Sequence, residues 1–259
     1  MKKRKLKVIK IGGNLIEDRD KFDRFLKDFT SLKEDRVLVH GGGAMASDLC
    51  GRLGIETKMI NGRRITDSKS LDVILMTYGG LINKRLVADL QTFGCNAIGL
   101  CGADGKSILS VKREVNGIDY GFVGDISRVN SDFISLLLRQ GIIPVFSPIS
   151  CSVEGELLNT NADSIAAEIA RAMSCSFDTE LYYCFEKKGV LADKGDEDSV
   201  IEHLNREKYI EMLEKNLITD GMLPKLQNCF ESLQNGISKI YLGDFRLLGE
   251  NSKCTKILN

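Results

Sequence analysis

Two apolar runs empty directly into bare backbone: Lys10-Ile11-Gly12-Gly13 and, after Val37-Leu38-Val39, His40-Gly41-Gly42-Gly43. Glycine gives up more conformational entropy on folding than any other residue, so a cluster of it implies that backbone must come close to something. Backbone N–H groups at the start of a helix carry partial positive charge and favour an anion. A tight strand-to-helix turn could use the same glycines merely to bend. Lys10 puts a cation at the end of the first run, although an edge strand continuing the basic N-terminus would also carry a lysine. Two other phosphate signatures fail. Gly41-x-Gly43-x-x-Ala46 has dinucleotide-binding spacing, but the acidic residue expected about 20 positions on is replaced by Met59-Ile60-Asn61-Gly62-Arg63-Arg64. Gly105-Lys106-Ser107 ends like a P-loop, yet the required first glycine is Leu100.

The elements that must position these residues alternate along the chain. Strand patterns are expected at Leu6–Ile11, Val37–His40, Cys95–Cys101, Ile142–Phe146, Leu181–Phe185 and Ile237–Leu242. Helical patterns are expected at Asp18–Leu32, Ala44–Leu53, Ser68–Gln91, Asp132–Arg139, Asn161–Met173 and Asn205–Lys215, with another opening at Gly221-Met222-Leu223-Pro224-Lys225. Arg63 and Arg64 enter a turn or hairpin, and Val153–Leu157 has hairpin character. Such alternation argues for an α/β fold around a mostly parallel sheet. Ligands of such sheets sit at the carboxyl ends of the strands, so two glycine turns there would make a nest for phosphate. Gly79-Gly80 inside the long helix costs about 1 kcal/mol per glycine unless another backbone comes close, as a second subunit's helix would. Pro144 requires a sheet edge, a bulge or a strand start.

Composition excludes several classes of function. The 259 residues carry 36 basic and 36 acidic side chains, so no global field points to nucleic acid or membrane. The basic start precedes only a short apolar run, without the core of a secretory leader, and a cytoplasmic location is expected. Eight cysteines and two histidines show no zinc-ligand spacing, and reduced, half-buried thiols are expected.

Five motifs in order and approximate spacing resemble the amino-acid kinase family, from Leu6 to about Ile257. They are Lys10-Ile11-Gly12-Gly13, His40-Gly41-Gly42-Gly43, Asn61-Gly62-Arg63-Arg64-Ile65-Thr66, Asn159-Thr160-Asn161-Ala162-Asp163 and Asp220-Gly221-Met222-Leu223-Pro224-Lys225. The resemblance implies a three-layer α/β/α sandwich. Residues 1–174 would form a lobe for binding an N-acylated glutamate and for dimerisation through the helix 68–91, and residues 175–259 a nucleotide-binding lobe. It further implies transfer of the ATP γ-phosphoryl group to a side-chain carboxylate, the second step of arginine biosynthesis, with Mg²⁺ carried mainly on phosphate oxygens and no dedicated metal ligands. The chain looks like the short form of the family, in which a dimer without arginine feedback is expected.

By the same resemblance, Lys10 and Lys225 would flank the transferring group and Asp163 would hold both lysines. Gly13 and Gly42 would donate N–H groups to the phosphoryl, with Gly12, Gly41 and Gly43 keeping the turns open. Arg64 would clamp a substrate carboxylate, Asn159 would bind its amino-acid end, and Gly43 and Ala44 would line the acyl pocket. The residue types suit this chemistry: a carboxylate with a pKa near ~4.3 is already an ionised nucleophile at neutral pH, so no general base is needed. What must be supplied is positioning and charge neutralisation. The chain departs from the family at Phe185-Glu186-Lys187-Lys188, where a Thr/Ser-Asp pair is usual, leaving Glu186 as the candidate acidic residue beside the nucleotide. Acetyl is the default acyl group and succinyl stays open. Glutamate 5-kinase, aspartokinase, carbamate kinase and uridylate kinase share the fold, and a silent nucleotide and amino-acid sensor is the alternative of another class.

Overall fold

The computed structural model describes residues 3–60, 63–193, 195–215, 222–249 and 252–258. Asn61, Gly62, Asp220 and Gly221 of the motifs above lie outside them. In chain order the structure runs β1 (Lys5–Ile11), α1 (Gly13–Glu17), α2 (Arg19–Ser31), β2 (Asp35–His40), α3 (Gly43–Arg52), β3 (Met59–Ile60), β4 (Arg63–Arg64) and α4 (Ser68–Ile74). A π-helical stretch, Leu75–Ile82, joins α4 to α5 (Asn83–Thr92). There follow β5 (Ala97–Leu100), β6 (Ile108–Lys112), β7 (Gly124–Val129), α6 (Ser131–Arg139), β8 (Ile143–Phe146), β9 (Ile149–Cys151), β10 (Leu157–Asn159) and α7 (Ala162–Met173). The last elements are β11 (Asp178–Cys184), β12 (His203–Leu204), α8 (Arg206–Glu214), α9 (Leu223–Gln234), β13 (Lys239–Gly243) and β14 (Thr255–Ile257).

Eight strands form the central sheet in the order β12-β14-β13-β11-β1-β2-β8-β5. Its pairs are parallel except β13–β14. The strands after residue 174 therefore extend the same sheet, β11 lying directly against β1. Strand alternation sends successive side chains to opposite faces. Leu6, Val8, Val37 and Val39 pack with α7 and α9 in one core, while Ile9, Ile11 and Leu38 pack with α2 and the α4–α5 helix in the other. Helices on both faces give the three-layer α/β/α sandwich. A separate four-stranded sheet, β10-β9-β6-β7, stands beside it.

Helix starts follow local chemistry: the Asp18, Asp67, Asn130, Asn161 and Asn205 side chains each accept from a backbone N–H of the first turn. Three expectations change. The long helix is continuous but loosens to π geometry around Gly79-Gly80, where Ile149 approaches the missing Cβ of Gly79 to 3.4 Å. The strand expected within Cys95–Cys101 is buried on its inner face but forms the sheet edge, and Ile98 is 40% exposed. β14 was not expected at all; only three residues long, it offers too short a run for periodicity to register. Pro144 meets its constraint at a strand start, because the pairing of β8 with β2 begins one residue later, at Val145.

Candidate active site

β1 and β2 are neighbouring parallel strands in the register Ile11↔His40, so their glycine turns leave the sheet side by side. The Gly41 N–H donates to the Ile11 carbonyl (2.9 Å), and a Cβ on Gly13 would come to 3.4 Å from the Gly42 Cα. The glycines are not equivalent. A Cβ on Gly42 would fall 2.4 Å from Ile82 Cδ1 and 3.0 Å from the Tyr78 ring, so a side chain there would have to displace Ile82 and Tyr78 of the long helix. Gly12 and Gly43 have no atom within 4 Å of a built Cβ. Gly42 caps α3, and the turn thus leads straight into a helix N-terminus.

Lys10 shares a strand face with Leu6 and Val8, which aims it at the α7 layer. Its Nζ lies 2.7 Å from Asp163 Oδ1, and Lys225 Nζ lies 3.6 Å from Asp163 Oδ2. Asp163 comes from the first turn of α7 and Lys225 from the first turn of α9. The Lys225 ammonium also sits over the rings of Phe185 (4.9 Å) and Tyr183 (5.6 Å), a placement that favours a cation. The Tyr183 hydroxyl donates to the Asp163 backbone carbonyl at 3.2 Å. Burial works to raise the Asp163 pKa, but Lys10 and Lys225 outweigh it and hold the carboxyl below its ordinary value. This group is an anion between two cations.

Two clefts meet at the glycine turns. The smaller, about 220 Å³, is lined by Gly41–Gly43, Arg63, Arg64, Tyr78, Arg113 and Asn159–Ala162, among others. Ala44, expected there with Gly43, is not part of its lining. Arg64 is buried and held from three sides, donating to Thr57 Oγ1 (3.0 Å), the Gly43 carbonyl (3.0 Å) and Ser47 Oγ (2.7 Å). Asn159 Nδ2 donates to Thr66 Oγ1 at 3.0 Å. Arg113 enters from the end of the β6–β7 hairpin, paired with Asp125 and lying over the Tyr120 ring at 5.4 Å. Sequence reading missed Arg113. Its segment reads as turns and short strands, and the bridges Thr66↔Gly121 and Val123↔Asn159 bring that hairpin to the cleft.

The larger cleft, about 590 Å³, is lined by Gly12–Leu15, Asp18, Lys21, Phe185–Lys187, Met222, Asp244 and Phe245. Glu186 accepts a hydrogen bond from Asn14 Nδ2. The cleft takes residues from both sides of position 174. Asp244, within this cleft and paired with Arg246, was not among the expected residues. Lys187 and Lys188 pair with Glu197 (2.8 Å) and Asp198 (2.5 Å), fastening the polar loop back on the strand end. Among the described residues, no three His, Cys, Asp or Glu side chains converge as a metal cage, and no helix is long and apolar enough to cross a membrane.

The sequence matches the amino acid kinase family over residues 5–244. It is 49% identical over 250 residues to the acetylglutamate kinase of Phocaeicola vulgatus, covering 96% of this chain and 97% of that one. To the acetylglutamate kinase of Cytophaga hutchinsonii it is 50% identical over 239 residues, covering 92% of this chain and 90% of the other. Among solved structures, the N-acetylglutamate synthase of Neisseria gonorrhoeae, complexed with coenzyme A and N-acetyl-glutamate, superposes with a TM-score of 0.82 at 19% identity, over all of this chain and 60% of that one. The carbamate kinase of Giardia lamblia bound to AMP-PNP does so with a TM-score of 0.72 at 12% identity, over 99% of each. These two likenesses show a shared fold.

Proposed function

The chain belongs to the amino acid kinase family, and we propose that it transfers the γ-phosphoryl group of ATP to the side-chain carboxylate of N-acetylglutamate. The observation that carries this reading is the Lys10–Asp163–Lys225 cluster beside paired glycine turns where two clefts meet. The acceptor occupies the smaller, arginine-lined cleft, and the nucleotide the larger one. A carboxylate oxygen attacks the γ-phosphorus, the bond to the ADP oxygen breaks, and the products are ADP and an acyl phosphate. No proton moves. Lys10 and Lys225 neutralise the charge spread over the transferring oxygens, while the Gly13 and Gly42 N–H groups hold them in place. Asp163 keeps the two ammonium groups at a fixed separation.

Arg64, pre-organised by its own hydrogen bonds, meets the α-carboxylate of the acceptor, and Asn159 its amide end. Gly12 and Gly41 border the phosphates, and Glu186 stands at the nucleotide. Mg²⁺ accompanies ATP in such transfers and would be carried mainly on the phosphate oxygens, since no three His, Cys, Asp or Glu side chains among the described residues form a cage for it. The exposed Met76 (53%) and Leu81 (40%) on the long helix support pairing of two copies through residues 68–91. The test is a substrate panel with ATP and Mg²⁺. ADP release with N-acetylglutamate, well above that with N-succinylglutamate, free glutamate, aspartate or carbamate, is expected. Preference for any of the others would reassign the acceptor, and no release with any would leave a binding protein.

A further inference from the structure

Beyond the lysine cluster, the buried pair His40 and Asn83 ends on the glycine turn and has no part in the chemistry above. β2 alternation turns His40 to the face opposite Val39, toward the long helix. Its Nδ1 lies 2.9 Å from the Gly41 carbonyl oxygen and its Nε2 lies 3.2 Å from Asn83 Nδ2. The Asn83 amide is oriented by its other partners: Nδ2 donates to the Val145 carbonyl (2.9 Å), and Oδ1 accepts from Lys84 Nζ (3.2 Å), which also donates to the Gly99 carbonyl (3.1 Å). The seat is tight, since a Cβ on Gly99 would fall 1.9 Å from Asn83 Oδ1.

An amide nitrogen can only donate, so Nε2 is the lone-pair nitrogen and the ring proton sits on Nδ1. Burial lowers the His40 pKa to about 4, against the opposing pull of the Gly41 contact, and so keeps the ring neutral. The Gly41–Gly42 peptide is trans and planar, so a carbonyl drawn inward to Nδ1–H sends the Gly42 N–H the opposite way. That nitrogen lies beside the other turn, 3.5 Å from where a Gly13 Cβ would stand.

We propose that His40, with its tautomer set by Asn83, is a positioning residue that aims the Gly42 N–H at the transferring phosphoryl group. This inference rests on the kinase reading. The wild-type ring tautomer is read from long-range ¹H–¹⁵N correlations, with His203→Gln assigning the signals of the two histidines; a proton on Nδ1 is expected, and one on Nε2 would overturn the proposal. His40→Leu should lower kcat roughly 10- to 100-fold with both KM values within about twofold. His40→Asn, whose amide nitrogen replaces Nδ1, should recover most of that loss, and His40→Gln, which places its amide near Nε2, should not. Equal kcat for the Asn and Gln variants contradicts the proposal, whether or not the Leu variant folds. So does an unchanged kcat in a folded Leu variant. A wild-type enzyme inactive on N-acetylglutamate would instead defeat the kinase reading, which the tautomer does not depend on.

Discussion

The two clefts on either side of the glycine turns are built on opposite plans. The smaller is lined by three arginines, one of them buried and locked by hydrogen bonds to Thr57, Ser47 and the Gly43 carbonyl. The larger is lined by Asp18, Glu186 and Asp244, with Lys21 and Lys187 as its cations, and its loop is held by exposed ion pairs that contribute little each. On the proposed assignment, recognition of the acceptor is fixed in advance, whereas the nucleotide side is looser. Lys10 and Lys225 add two further cations at the boundary between the clefts, held together by Asp163. On the same proposal, specificity belongs to one side and rate to the seam.

The seam should be the most sensitive. Lys225→Ala is expected to lower kcat about 10²- to 10³-fold with little change in either KM, because the lost contact strengthens as charge develops; an unchanged kcat would remove the lysine from the reaction. On the acceptor side, Arg64→Lys keeps the charge but loses the fork, and should raise the N-acetylglutamate KM about tenfold while sparing that of ATP. Equal effects on both substrates would break the division between clefts. Glu186→Ala, on the looser side, should raise the ATP KM by no more than about fivefold, the scale of an exposed charged contact.

The turns themselves sharpen the comparison. Gly42→Ala forces a methyl group against Ile82 and Tyr78 and should cost about 1–3 kcal/mol in unfolding free energy, whereas Gly12→Ala meets nothing within 4 Å and should leave stability unchanged. Chemical denaturation of both variants reads the difference. Acid provides a further check. The folded His40 pKa of about 4 lies below its unfolded value, so between about pH 6.5 and 4 the unfolded state binds more protons and stability falls as pH falls. That loss is limited to roughly 3 kcal/mol. His40→Asn should flatten this part of the stability profile, and an unaltered profile would mean that the histidine is not held neutral.

Most of the sheet could be read from sequence because strands such as Leu6–Ile11 and Val37–His40 are continuous apolar runs ended by glycine. The side-by-side glycine turns followed from the same pattern together with the rule for parallel sheets. Lys10 stood out as a cation at the end of the first glycine-ended run, whereas Asp163 and Lys225 were singled out through family resemblance alone, since each residue type is common in a first helical turn. Arg113 and Asp244 escaped because nothing local distinguishes them; a hairpin folding over the sheet and a late strand bring them in. The π-helical stretch also escaped, because hydrophobic spacing cannot separate π from α geometry over two turns. Its effect is local to the site, since Tyr78 and Ile82 are the residues that a side chain at Gly42 would have to displace.

On the proposed mechanism, a side-chain carboxylate receives the γ-phosphoryl group at the seam between the clefts. Incubation with [γ-³²P]ATP, Mg²⁺ and N-acetylglutamate, with and without hydroxylamine, tests it most directly. Labelled acyl phosphate that hydroxylamine converts to the γ-hydroxamate, in equal amount to ADP and largely lost in Lys225→Ala, is the predicted result. ADP release that does not depend on the acylated amino acid, or no hydroxamate from an active, folded protein, would contradict it.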